Sequence, residues 1–128
     1  VFGWGPFLTG EIELKGLTYN GKKGDCRLKV ATADLGPVQL EIIQVLEGKT
    51  PHTDFLRTRG EGIHHLGFLV DDLDSILAEL AKEDIRPICH HKMSEIGVTF
   101  AYLNTDMVSG VIFELLEIKP QQGEVHEK

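Results

Sequence analysis

Two carboxylates and an imidazole sit on apolar strands of this chain, and groups of those types brought together can bind a cation or move a proton. Glu41 lies in Val38-Gln39-Leu40-Glu41-Ile42-Ile43-Gln44, and Glu114 in Val111-Ile112-Phe113-Glu114-Leu115-Leu116-Glu117, near-copies of one strand. Between them runs Gly62-Ile63-His64-His65-Leu66-Gly67-Phe68-Leu69-Val70-Asp71-Asp72. Strand alternation puts Glu41 on one face with Ile43 and Val45, and Glu114 with Ile112, Leu116 and Ile118. A carboxylate on an apolar face is costly unless it is paired, protonated or bound to a cation. One such strand is an oddity of burial. Two, with an imidazole strand between them, point to a site.

The elements that must position these groups can be read along the chain. A glycine- and aromatic-rich opening, Phe2-Gly3-Trp4-Gly5-Pro6-Phe7, leads into a strand near Phe7–Leu14. Asn20-Gly21 and Lys23-Gly24 carry turn chemistry. Cys26–Ala33 and Val38–Leu46 alternate as strands, separated by Gly36-Pro37. From Gly48 to Gly60 the chain is a polar connection with room for a short helical turn. The strand Ile63–Val70 follows, and then Asp71 or Asp72 can cap a helix carrying Leu73, Ile76, Leu77 and Leu80 at helical spacing. Strands are expected at Arg86–His91, Val98–Asn104 and Val111–Ile118, and the tail after Pro120 is expected to be disordered.

Composition sets the outer limits. The 128 residues are one domain's worth of chain, with 41% apolar and 26% charged content, ordinary for a soluble protein. No apolar run approaches the roughly 20 residues of a membrane span, and the N-terminal stretch lacks signal-peptide features. A net charge of −7 with no long basic run argues against nucleic acid as a partner. Cys26 and Cys89 are too few and too far apart for a zinc knuckle or redox pair, so both are expected to be reduced and half-buried. A cytoplasmic location follows by default.

The second half therefore reads strand, helix, strand, strand, strand, and the first half shows only the last three of those strands. The 73-residue offset from Glu41 to Glu114, applied backwards from His65, falls before Val1. This arrangement resembles the vicinal oxygen chelate superfamily of glyoxalases, epimerases, extradiol dioxygenases and bleomycin-resistance proteins. The likeness is carried by residues 2–7, Gln39-Leu40-Glu41-Ile42-Ile43-Gln44, Gly60 through Asp72, and Gly110 through Glu117. Within the superfamily it is greatest toward glyoxalase and methylmalonyl-CoA epimerase types.

The resemblance implies an α+β fold of paired βαβββ modules forming a curved mixed-sheet cup around a divalent ion. Residues 1–118 would form a single domain, with a first module in 1–48 truncated at its N-terminus, a second module in 62–118, and a polar tail in 119–128. By motif match Glu41, His65 and Glu114 are the metal ligands. His65 is favoured over His64 because it directly precedes Leu66-Gly67 and faces with Ile63, Gly67 and Leu69. The family's fourth ligand, a His on the first strand of the first module, has no counterpart here. The expectation is thus a first module without its opening strand and helix.

Such a site suits Zn²⁺, Ni²⁺, Co²⁺, Mn²⁺ or Mg²⁺ and a substrate with adjacent oxygens. The resemblance implies an isomerase or lyase moving a proton next to a carbonyl in a small oxygenated or thioester compound, with Glu114 as catalytic base. A dioxygenase would want a second His where Glu41 stands. Strict epimerase relatives carry an acid near Lys29-Val30-Ala31 that is absent here. A glutathione-type substrate would want rim cations, for which Arg27, Arg57 and Arg59 are candidates. The alternative is a metal-free small-molecule-binding protein of the bleomycin-resistance type. Among the other residues, His64 is expected to be structural and to pack against the helix, and His90 and His91 to lie at the surface. Trp4 and Phe7 are expected to cover a neighbouring module, and one of Phe100 and Tyr102 to line the cup. Unpaired strand edges predict a homodimer.

Overall fold

The computed structural model describes residues 3–106 and 110–120. The tail beyond Pro120, expected to be disordered, lies outside the described residues. Among the described residues, seven strands and two α-helices follow one another as β1 (Leu8–Tyr19), β2 (Lys22–Leu35), β3 (Val38–Glu47), α1 (Pro51–Arg59), β4 (His65–Leu69), α2 (Leu73–Ala81), β5 (Pro87–Met93), β6 (Val98–Leu103) and β7 (Ile112–Ile118). They make one curled mixed sheet of order β3-β2-β1-β5-β6-β7-β4, an α+β fold. All neighbours pair antiparallel except β4, which runs parallel to β7. The two flanks of the sheet meet at a short seam, where β1 pairs β5 at Thr18–His90 and Tyr19–Cys89.

Two apolar clusters follow from strand alternation. Leu14, Leu17, Cys26, Leu28, Cys89, Phe100 and Tyr102 fill the concave face. The other side of β6 and β7 sends Ala101, Leu103 and Leu115 against Leu73 at the start of α2. Because helix covers one side and cup the other, Phe100 through Leu103 are all buried in succession. Helix α2 begins where Asp72 Oδ1 accepts the Ser75 amide at 3.1 Å and Glu117 Oε1 accepts the Leu73 amide at 2.9 Å. Two carboxylates thus satisfy orphan donors at the positive end of the helix dipole. Burying Leu73 there contributes about 1.5–3 kcal/mol.

Four expectations change. Lys23-Gly24 lies inside β2 rather than in a turn, because the Asn20-Gly21 turn alone closes the hairpin: Asn20 and Gly21 have φ of 52° and 78°. Ile63 and His64 precede β4, which begins only at His65. The connection 48–60 is mostly helix: Thr50 accepts the amides of His52 and Thr53, and Pro51 starts α1 where no amide is needed. Cys26 and Cys89 are free thiols, as expected, but fully buried.

Gly48, between β3 and α1, has φ of 93°, and a Cβ there would lie 2.4 Å from the Asp25 carbonyl and 2.7 Å from Cys26 Cβ. Left-handed backbone and close approach coincide, so no side chain fits without moving β2. Gly48→Ala is expected to destabilise the protein by about 3 kcal/mol or more, read as a fall in the urea midpoint with unchanged slope. A change below 0.5 kcal/mol would contradict this packing.

Candidate active site

The cup encloses a cavity of about 160 Å³ whose wall is mostly aliphatic, with Glu41, Thr50, His52, Tyr102 and Glu114 supplying the polar groups. The sheet register sets the carboxylates. Glu114 lies opposite Tyr102 on β6 and beside Gly67 on β4. A Cβ on Gly67 would come within 3.2 Å of Glu114 Oε1, so the glycine leaves the room that this carboxylate occupies. Glu41 reaches in from β3, on the far side of the seam.

The structure brings Glu41, His65 and Glu114 together. His65 Nε2 lies 3.3 Å from Glu114 Oε1 and 3.6 Å from Glu41 Oε1. The side chains of His65 and Glu114 are largely buried, whereas that of Glu41 is 37% exposed at the mouth. Burial and then the charge of Glu114 hold the Glu41 carboxyl above the usual carboxylate range, with His65 pulling it down. Two convergent carboxylates that repel each other across an imidazole form a site of negative potential in an apolar wall.

The sequence reading missed His52. It lies on the first turn of α1 with 8% of its surface exposed. Its Nδ1 is 3.1 Å from Thr50 Oγ1 and its Nε2 is 3.2 Å from the Tyr102 hydroxyl. The signal was present as Thr50-Pro51, a capping residue followed by a proline at the first helical position, which aims the next side chain inward. His64 and His65 meet through their Nδ1 atoms at 3.0 Å, so one of the two nitrogens must carry a proton. His64 packs on Phe55 and His52 of α1 rather than on α2. Its Nε2 is buried with no hydrogen-bond partner among the described residues.

Phe100 and Tyr102 both line the cup. Arg27 does not: it pairs with Glu11 at 2.8 Å and Glu47 at 2.7 Å, on the side of β2 opposite Leu28 and Val30. Arg57 bonds Asp54, and Arg59 approaches Asp106 beyond α1. His90 is exposed, and His91 lies partly covered near Phe100 without lining the cavity. Trp4 and Phe7 are 51% and 36% exposed. Tyr19, whose hydroxyl bonds the Asp54 carboxylate, is pushed well above its ordinary range by burial and by that acid.

With this geometry, comparison with known proteins identifies the class. The model of the glyoxalase/bleomycin resistance protein/dioxygenase superfamily matches residues 3–102, and the chain belongs to that family. The uncharacterized protein YqjC of Bacillus subtilis is 31% identical over 102 residues, 79% of this chain and 73% of that protein. The mitochondrial methylmalonyl-CoA epimerase of Mus musculus is 28% identical over 90 residues, 69% of this chain and 51% of the mouse protein. Among solved structures, methylmalonyl-CoA epimerase from Mycobacterium tuberculosis superposes with a TM-score of 0.61 at 22% identity, covering 76% of this chain and 67% of that one. A hypothetical protein from Bacillus halodurans gives the same TM-score at 27% identity, covering 73% and 69%.

Burial, then the neighbouring His64 and His65, lowers the His52 pKa to about 3. The folded state therefore holds a neutral imidazole where the unfolded chain begins to protonate near pH 6.5. Between those values the unfolded state binds more protons, so the stability tied to His52 is complete above about pH 6.5 and is lost as pH falls toward 3. Roughly 2 kcal/mol is expected to disappear between pH 7 and pH 5 on this account. Urea titrations of metal-free protein at the two pH values should show His52→Gln losing that much less than wild type. Equal losses would mean His52 does not govern the slope. Glu41, with its raised pKa, favours the folded state as pH falls through the carboxylate range, and is common to both proteins.

Proposed function

We propose that this chain is a divalent-metal-dependent isomerase or lyase of the glyoxalase and epimerase type, transferring a proton on the carbon next to a carbonyl of a small oxygenated or thioester compound. The observation that carries this reading is the convergence of Glu41 and Glu114 on His65 Nε2 at the wall of the apolar cup. The donor set fits a hard or borderline cation: one imidazole nitrogen and two carboxylates, whose mutual repulsion a cation would relieve. Glu41, His65 and Glu114 would hold it. Zn²⁺, Ni²⁺, Co²⁺, Mn²⁺ or Mg²⁺ bound there would polarise a substrate carbonyl as a Lewis acid.

The side chains supply the rest. Glu114, buried and fixed by register, is the base that takes the carbon-bound proton. The aliphatic wall of Ile12, Leu14, Leu28 and Val30 excludes water and strengthens every charge contact inside. A thioester fits the similarity to methylmalonyl-CoA epimerases, with the carrier extending out past Glu41. A second reading, a metal-free binding cup, is favoured by the same aliphatic lining and by the approach of His65 Nε2 to both carboxylates without an ion. The assembly we propose is a cytoplasmic homodimer of this single domain, joined through the free edges of β3 or β4, near which Val38, Ile42, Phe68 and Leu69 are 63%, 53%, 46% and 72% exposed. A monomeric sedimentation mass at micromolar concentration would oppose it.

The deciding experiment measures bound metal in purified protein and α-proton exchange of methylmalonyl-CoA and a panel of 2-oxo and hydroxy thioesters in D₂O. Wild type should hold one divalent ion per site, melt higher with it, and catalyse exchange. His65→Ala should lose the ion. Glu114→Gln should lower kcat by about 10²–10⁴-fold. A wild type that binds no divalent ion and shows no metal-induced rise in melting temperature sinks the enzyme reading, whereas tight ligand binding without exchange supports the binding cup.

A further inference from the structure

The hydrogen bonds around His52 have a direction, which follows from counting lone pairs. Thr50 Oγ1 accepts the amide of His52 at 3.1 Å and the amide of Thr53 at 3.3 Å. A hydroxyl oxygen has two acceptor sites and one proton. With both sites committed to helix α1, Thr50 has only its proton left to offer His52 Nδ1, 3.1 Å away. His52 is buried against Tyr102 and two further imidazoles, with no carboxylate bonded to it among the described residues, so it is a neutral ring with one N–H. Nδ1 accepts, therefore Nε2 donates, and its partner is the Tyr102 oxygen at 3.2 Å. The Tyr102 oxygen is thus used as an acceptor and its own proton is free. Among the described residues its hydroxyl has no other hydrogen-bond partner. Tyr102 lines the cup and lies in register with Glu114.

We propose that the Tyr102 hydroxyl is an aimed hydrogen-bond donor for a substrate oxygen that gains negative charge, and that Thr50 and His52 are positioning residues that set its direction. The charge-stabilising role rests on the proton-transfer reading above, while the polarity of the chain stands on geometry alone. As Glu114 takes the proton from carbon, the electron pair of the broken C–H bond moves toward the carbonyl oxygen. The Tyr102 bond to that oxygen shortens, and the Tyr102 proton stays on Tyr102. The donor is fixed before the reaction, so it costs no reorganisation at the moment charge appears. The helix cap and the substrate donor are then one continuous chain: Thr50 to His52 to Tyr102 to substrate.

Two measurements separate this proposal from the proton-transfer reading. In ¹⁵N-histidine-labelled protein without metal or substrate, long-range ¹H–¹⁵N spectra should show His52 protonated at Nε2 and bare at Nδ1, and Tyr102→Phe should shift Nε2. A wild-type His52 protonated at Nδ1 overturns the polarity, whether or not the protein is an enzyme. In the D₂O exchange assay, Tyr102→Phe should keep its bound metal and fold, shown by metal analysis and near-ultraviolet dichroism, and lose about 10²–10³-fold in kcat with KM within threefold. His52→Gln, whose amide N–H can still donate to the tyrosine, should retain most of the wild-type kcat, and His52→Leu should not. If wild type turns over and Tyr102→Phe retains kcat within threefold, the donor role is wrong while the proton-transfer reading stands. An inert wild type removes the donor role together with that reading.

Discussion

The structure is organised around a charge problem: two carboxylates, from strands on opposite sides of the seam, share one imidazole at the wall of an apolar cavity. Neither acid would be stable there alone. His65 Nε2, 3.3 and 3.6 Å from their oxygens, is the group that makes the arrangement tolerable, and a cation in the same place would do so better. The rest of the molecule is arranged to hold that triad. The parallel pairing of β4 with β7 sets His65 beside Ile112 and leaves Gly67 against Glu114. The curl of the sheet brings β3 round to the same point. Helix α2, tied by Glu117 to the back of β7, holds that strand from behind.

How much of this was legible beforehand depended on the range of the interaction. Period-two alternation on β3 and β7 and helical spacing on α2 are local patterns, and they placed Glu41, Glu114 and the Asp72 cap on the faces they occupy. The His64-His65 pair was separable by alternation, since only His65 shares a face with Gly67 and Leu69. Strand ends were less legible: β1 continues to Tyr19 because it pairs with β2 right up to the Asn20-Gly21 turn, and β5, about seventy residues away in sequence, meets the same end. Helix α1 was the larger omission. Its composition is polar, with Phe55 and Leu56 its large apolar residues, and its inward face is made of Thr50, Pro51 and His52, which no hydrophobic template detects. The cap chemistry at Thr50-Pro51 was the available clue.

That omission matters chemically, because the site has two layers. The triad is the acidic layer. Behind it lie His52, His64 and Tyr102, whose rings pack against one another and against His65. Burial keeps both His52 and His64 neutral, with pKa values lowered to about 3 and about 4, while burial and then the neighbouring carboxylates keep the Tyr102 phenol protonated. The outer layer therefore carries the negative charge and the inner layer carries oriented dipoles. On the proposed reading, a substrate oxygen entering between them would meet the Tyr102 donor on one side and a carboxylate on the other.

The seam between β1 and β5 is the thinnest join in the sheet. Two residue pairs join the sheet halves there, helped by the Asn20 amide on the Ile88 carbonyl. Glu41 approaches from one side of this join, and His65 and Glu114 from the other. An ion held by the triad would therefore act as a clasp across the thinnest part of the sheet. With an ion held there, the amide of Asn20, which donates to the Ile88 carbonyl across the join, would exchange with solvent more slowly, although it lies away from the bound group.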